Sequence, residues 1–278
     1  MFKWPPPRRR TSIAVLVPSS NLSLYRDLRL KTRLAGEVAR ALSIFRVSTL
    51  GIFKDLEATS EDHNLFLKIS KYVLVPPYLR AKTYPLDRDL RFAGLLPPLS
   101  IYPHNPENRP VSTGDIRFGL VLNELGYVDI GSEKPCRLVE AKRARPRDVV
   151  LVRVDGTDPP ICSEVRNPHI YTGYEVVGIA DQDKLKRFIS QHDFVINTSK
   201  NGEPLHRVLE SADFLQKLKN SKSVCVLFGN PRKDLSELVS VDLEIDVTVN
   251  FIPYQGALTV RTYEALISTL AILNTLID

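Results

Sequence analysis

The sequence predicts an α/β protein, a parallel sheet flanked by helices and interrupted in mid-chain by a small all-β barrel. Three observations predict it. Short apolar runs alternate with helix-spaced segments at both ends of the 278-residue chain, the pattern of βαβ units and a parallel sheet. Eight prolines fall between Pro76 and Pro110, where neither a helix nor a central strand can persist, because each proline lacks a backbone donor. Residues 111–165 then carry several short β-type runs punctuated by Gly, Pro and Asp, which fits a small barrel such as an OB-fold.

Ser12 to Val17 is a buried parallel strand. Asn21 or Ser23 caps the helix after it, through which Leu30, Leu34, Val38, Ala41 and Leu42 recur at helical spacing. Arg46 to Phe53 is a second strand, Thr59 to Ile69 a second helix, and Lys71 to Val75 a third strand stopped by Pro76-Pro77. In the barrel the strands are Phe118–Leu122, Gly126–Ile130, Cys136–Val139 and Val149–Val154. From Tyr174 the alternation returns. Glu175–Ile179 is a strand, Asp181 caps a helix over 182–190, Asp193–Asn197 is a strand and Val208–Leu218 a helix. Strands at Ser223–Phe228 and Asp246–Phe251 and a long helix from Arg261 to Ile277 complete the chain. The division expected is one discontinuous α/β domain, 1–90 and 166–278, with the barrel and its crossing loop inserted at 91–165.

Composition excludes several classes. No apolar run approaches the roughly 18 residues that span a bilayer, and the apolar run after the basic N-terminus is too short for a signal core. Cys136, Cys162 and Cys225 stand far apart and the five histidines are scattered, so no metal site is expected. Few, unpaired cysteines suit a cytoplasmic protein. There is no GxxxxGK[ST] loop and no paired-carboxylate metal site, which argues against a phosphotransferase or nuclease. Net charge is +6, unevenly spread: residues 1–50 carry ten Lys/Arg against two Asp/Glu, and 137–153 carry six against two. Clustered basic charge favours a polyanionic partner, RNA above all.

The strongest chemical signal is a pair of Gly-bearing loops at the ends of late strands. SVCVLFGNPRKDL runs a strand into Gly229-Asn230-Pro231, and NFIPYQGALTVRTYEAL carries Gly256 into the last helix. Open α/β sheets place ligands at the C-terminal ends of their strands, and glycine lets a backbone approach closely.

Together the loops resemble those of the SPOUT-class RNA methyltransferases, whose second loop reads I-P-x-x-G-x-x-(S/T)-(L/V). Ile252, Pro253, Gly256, Thr259 and Val260 occupy that pattern. The resemblance narrows to the archaeal and eukaryotic branch with an OB-like insertion. LKTRLAGEVARALSIF (Leu30 to Phe45) matches its first helix and PPYLRAKTYPLDRDLRFAGLLPPL (Pro76 to Leu99) its crossing loop. Thr172-Gly173-Tyr174-Glu175-Val176, Thr198-Ser199-Lys200-Asn201-Gly202 and Arg261-Thr262-Tyr263-Glu264-Ala265 match three later segments. The resemblance implies a trefoil-knotted sheet, S-adenosylmethionine as cofactor, a homodimer formed through the very apolar last helix, and structured RNA, with rRNA foremost, as substrate. Eukaryotic relatives of that branch are linked to uridine N3 methylation of large-subunit rRNA. The cofactor residues it implies are Thr198, Asn201, Phe228, Gly229, Asn230, Ile252, Gly256, Leu258 and Thr259. The sequence departs from the branch at Asp234, where the loop usually ends in Gly-Leu, at Asn201, where Arg is common, and at Tyr263-Glu264.

Methyl transfer from an activated donor needs position, desolvation and help in removing a proton, with no nucleophilic Ser or Cys. Arg80 and Arg261 are the candidates for holding the target or a developing anion, Arg80 serving equally well as a phosphate contact. Arg33 either faces RNA or pairs with Glu37 four residues on, and Thr262 is the expected N-cap of the last helix. Lys142, Arg143, Arg145 and Arg147 suit phosphate on a barrel. A non-catalytic RNA-binding or ribosome-assembly factor on the same fold is the alternative, kept open by Asp234.

Overall fold

The computed structural model describes residues 3–105, 107–139 and 145–277. The chain divides into two compact units. One comprises Met1–Arg8, Tyr72–Arg91 and Pro98–Thr172, the other Arg9–Lys71, Phe92–Pro97 and Gly173–Asp278.

The larger unit is a six-stranded, all-parallel sheet. Its first strand, β1 (Ser12–Pro18), leads into a single turn, α1 (Ser20–Ser23), and the long helix α2 (Leu28–Ile44). The cap of α2 is Asp27, which accepts from the Arg29 N–H; Asn21 and Ser23 fall within the separate turn α1. A carboxylate at the cap satisfies an orphan donor and complements the helix dipole. After β2 (Thr49–Phe53) comes α3 (Ser60–Leu74). The strand expected at Lys71–Val75 does not form: α3 continues through it. Val73 and Leu74 extend the helical spacing of Phe66 and Ile69, and only Pro76-Pro77 ends it. β-branching in a short run reads as strand locally, but the buried face, Phe66, Ile69 and Val73, is helical.

Downstream, β8 (Glu175–Ile179), α5 (Gln182–Ile189) and β9 (Phe194–Pro204) follow the expected alternation; the five strands between, and α4 (Pro77–Thr83), belong to the smaller unit. Asp181 caps α5, as the sequence predicts, accepting from the Lys184 N–H. The segment predicted as one helix over 208–218 is two, α6 (Leu205–Glu210) and α7 (Ala212–Asn220), because Ser211 stands in extended backbone and caps the second. Then come β10 (Ser223–Phe228), the short α8 (Leu235–Leu238), β11 (Val247–Asn250) and α9 (Thr262–Ile277). The strand order is β11-β9-β10-β1-β2-β8. β1 and β10 form the centre, and Val15, Leu16, Val17, Val226 and Leu227 are fully buried there. Continuous apolar runs are what a parallel strand covered on both faces requires. Within α9, Leu266, Leu270 and Leu273 are buried while Ile267 stays 41% exposed.

The smaller unit holds a closed barrel in the order β3-β4-β5-β7-β6. Its strands are β3 (Ile116–Val121), β4 (Tyr127–Asp129), β5 (Cys136–Leu138), β6 (Val149–Thr157) and β7 (Pro160–Glu164), the last unforeseen in the sequence. Val121, Val128, Ile130, Val152 and Val154 fill its centre with Cys136 and Cys162. The proline-rich segment opens with a helix that the proline pattern does not predict. In α4, Pro77 stands in the first turn, where no N–H is needed. This helix seats on the barrel through Tyr78, whose hydroxyl donates to the Phe118 carbonyl at 2.8 Å. Gly131 (φ +75°) makes room for the Tyr78 ring, since a Cβ there would stand 2.6 Å from it. Lys142 and Arg143 lie outside the described residues.

Candidate functional site

Parallel strands β9, β10 and β11 run to one edge of the sheet, and a bulge within β9 and the segments following β10 and β11 enclose a cavity of about 240 Å³. Each wall has a local cause. Between β9 and β11 the pairing skips from Asn197–Thr248 to Glu203–Val249, which pushes residues 198–202 out of register and toward the cavity. Thr198 Oγ1 anchors the start of that bulge by donating to the Leu227 carbonyl at 2.8 Å.

The second wall begins at Gly229. A Cβ there would lie 2.6 Å from the Lys233 carbonyl oxygen, so the tight turn 229–234 closes only with glycine. Buried Asn230 holds it: Oδ1 accepts from the N–H groups of Arg232 and Lys233, each at 2.8 Å. Its Nδ2 donates to Ser20 Oγ at 3.0 Å and to Glu57 Oε2 at 3.3 Å. Lys233 in turn lies 2.6 Å from the other Glu57 oxygen, and that hydrogen bond holds the Glu57 carboxyl below the usual range. Asp234 ties two walls together, accepting from Ser199 Oγ at 3.0 Å and Asn201 Nδ2 at 2.7 Å. It also caps α8 reciprocally with Glu237. The departure at Asp234 and the departure at Asn201 are therefore one feature: an amide and a carboxylate that meet.

The third wall is the loop 251–260. Asn250 links it to the first, donating to the Lys200 carbonyl at 2.9 Å and accepting from the Ile252 N–H at 3.0 Å. Tyr254 sits in the left-handed region (φ 59°), a strained conformation for a side chain that is 90% exposed. At the base, Thr262 donates to the Asn21 Oδ1 at 2.6 Å.

Eight of the nine residues expected from the sequence line this cavity: Thr198 and Asn201; Phe228, Gly229 and Asn230; Ile252, Leu258 and Thr259. Gly256 does not line it, and a Cβ there would meet nothing within 4 Å. Arg261 is exposed at the cap of α9, between Val260 and Thr262, which both line the cavity. Its N–H donates to Glu264 Oε2 at 2.8 Å. Thr262 is accordingly the first helical residue rather than the cap. Arg80 lies on α4 in the smaller unit, where its guanidinium donates to the Val75 and Val73 carbonyls at 2.9 and 3.2 Å. Arg33 pairs with Glu37 at 2.7 Å; Arg145 and Arg147 are exposed. Sequence reasoning missed Ser20 and Glu57, polar residues far from any motif, and passed over Asn250 at the head of the second loop. Only the fold brings Ser20 and Glu57 to the loops.

A family model described as "Putative RNA methyltransferase" matches residues 12–273. The chain belongs to this RNA methyltransferase family. An uncharacterized protein of Halobacterium salinarum is 30% identical over 285 residues, covering 94% of this chain and 98% of that one. The 28S rRNA (uridine-N(3))-methyltransferase of Homo sapiens is 26% identical over 96% of this chain and 78% of its own length. Its namesake in Drosophila melanogaster is 27% identical over 95% of this chain, which spans 62% of that protein. In this methyltransferase the cavity is lined by backbone, by amides and hydroxyls, and by the charged side chains of Lys200, Arg232, Lys233, Asp234 and Glu237. That set holds and orients a ligand. Among the described residues no group of three or more His, Cys, Asp or Glu is placed to hold a metal ion.

Proposed function

We propose that this RNA methyltransferase acts on a uridine of ribosomal RNA and takes its methyl group from S-adenosylmethionine held in the three-loop cavity. One observation carries the reading. The cavity lies at the C-terminal edge of a parallel sheet, where such folds bind ligands, and residues 198–201, 228–230 and 252–259 converge there in a chain whose family transfers methyl groups to RNA.

The donor set fits a nucleoside-containing cofactor. Backbone amides and carbonyls of the turn at Gly229 and of the loop 251–260 suit the edge of an adenine, and Thr198, Asn201 and Thr259 suit hydroxyl and amino groups. Gly229 lets the turn 229–234 close, since a Cβ there would meet the Lys233 carbonyl oxygen at 2.6 Å. The cofactor supplies an already activated methyl group. What remains for the chain is to fix the target, exclude water and ease loss of the uridine N3 proton. Arg261, whose chain neighbours Val260 and Thr262 line the cavity, is our candidate to ease that proton loss, since a guanidinium beside the target stabilises the anion that forms as the proton leaves.

The relatives named for 28S rRNA uridine-N3 methylation support the choice of substrate. The closed five-stranded barrel supports an OB-like RNA-binding unit, with Arg145 and Arg147 exposed for phosphate. A SPOUT-type knot through the late loops, a cytoplasmic setting and a homodimer through α9 complete the proposal. Three free, buried cysteines support the setting, and the half-exposed Ile267 supports the dimer. No helix among the described residues is long and apolar enough to cross a membrane.

The test is incubation of the protein with S-adenosylmethionine and unmodified large-subunit rRNA, followed by nuclease digestion and mass spectrometry. New 3-methyluridine is expected, reduced about a hundredfold in Arg261→Ala. Absence of any methylated nucleoside, from protein that binds the cofactor, would overturn the uridine assignment.

A further inference from the structure

Beside α4, the segment 84–91 encloses a second cavity, of about 720 Å³. It shares no lining residue with the proposed cofactor site. Its chemistry is aromatic and basic. Tyr72 and Tyr84 meet edge to face, with ring centroids 5.1 Å apart. The Arg80 guanidinium lies over the Tyr72 ring at 5.1 Å from its centroid. Arg88 and Arg91 line the cavity and are exposed, as is Leu86, against a single acid, Asp87.

Arg80 is the unusual member. Its hydrogen-bond partners are the Val75 and Val73 carbonyls, and none is a carboxylate. Val73 lies in the last turn of α3 and Val75 just past it; the helix dipole there favours a cation, but the carbonyls carry no formal charge. Burial pulls the guanidinium pKa below its ordinary value, with only Tyr72 acting against it. A half-buried cation with no carboxylate hydrogen-bond partner among the described residues, lining a cavity of ligand size, calls for an anion. Neighbouring tyrosine rings and an apolar side chain in full contact with water call for a flat, partly apolar partner.

We infer that this cavity binds a single-stranded segment of the RNA substrate, one backbone phosphate resting on Arg80 and Arg88 and the adjoining base stacking on Tyr84. The inference rests on the RNA-methyltransferase reading and adds to it a contact site that shares no residue with the cofactor cavity. An acidic peptide would satisfy the arginines but leave the rings without a planar partner. A phosphodiester joined to a base satisfies both, and stacking on an aromatic ring tolerates any base.

The experiment is fluorescence anisotropy of the full chain with a labelled single-stranded oligouridylate of about ten nucleotides, within the site size of known single-strand binders. Tyr84→Ala should weaken binding about tenfold, and Tyr84→Phe should restore it. Arg88→Ala should lower the dependence of log K on log salt by about one. Unchanged titration by S-adenosylhomocysteine certifies that each variant is folded. Failure of the wild type to bind, binding that all three variants leave unchanged, or competition by polyglutamate equal to that by RNA overturns the inference. None of these touches the methylation reading, which stands or falls on 3-methyluridine formation.

Discussion

Gly229 and Gly256 look alike in the sequence, each a glycine in a loop after a late strand, and the structure gives them different roles. At Gly229 a methyl group would collide with the Lys233 carbonyl, which is backbone and cannot step aside. At Gly256 it would meet open space. Gly229→Ala should therefore lower affinity for S-adenosylhomocysteine tenfold or more by shifting the 229–234 turn about an ångström, while Gly256→Ala changes it less than twofold. Calorimetry on the two variants checks this, and equal losses would contradict it. His104 offers a second residue-scale test. Burial pushes its pKa down to about 4 from the usual 6.5, and Arg80 adds to that push, against the pull of the Leu74 carbonyl. The unfolded chain thus takes up a proton that the folded one refuses. Stability from this group is intact above pH 6.5 and declines as pH falls toward 4, by about 2 kcal/mol at pH 5. Urea melts at pH 7 and pH 5 should show that loss in the wild type and a smaller one in His104→Phe; equal losses would refute it.

Among elements, α2 shows how local propensity yields to packing. Gly36 lies within it, where alanine is the better helix former by about 1 kcal/mol. A Cβ at Gly36 would stand 2.6 Å from Pro97 Cδ and 2.9 Å from Leu96 Cδ2. The proline ring is rigid, so Gly36→Ala should destabilise the larger unit by about 1–3 kcal/mol; thermal melts that rise instead would show that the contact gives way. The same competition explains what the sequence did and did not disclose. The central strands were legible because fully buried parallel strands are continuous apolar runs. Asp181 was legible because a cap is a local interaction. The continuation of α3 through residues 71–74 was not, because a short β-branched run carries no sign of the face it buries. α4 was hidden by the rule that prolines break helices, which fails where proline begins one. In the cavity, the loops were legible from glycine and strand order, but Ser20 and Glu57 were not, since they reach Asn230 across 210 and 173 positions of chain. The Asp234–Asn201 contact looked like two unrelated departures until the bulge in β9 joined them.

Over the whole molecule, net charge of +6 and two basic clusters predict association with RNA that weakens steeply with salt. The dimer belongs to this scale too. Ile267 is a large apolar side chain left exposed on an otherwise packed helix. Light scattering should give twice the chain mass for the wild type and the chain mass for Ile267→Asp. A monomeric wild type would remove the dimer from the proposal.

The central claim is that the three-loop cavity holds the methyl donor, and calorimetric titration with S-adenosylhomocysteine tests it most directly. Micromolar binding by the wild type, lost in folded Gly229→Ala and kept in Gly256→Ala, is the predicted result. A folded wild type that takes up no heat, or a Gly229→Ala protein that binds as tightly as its parent, would contradict it.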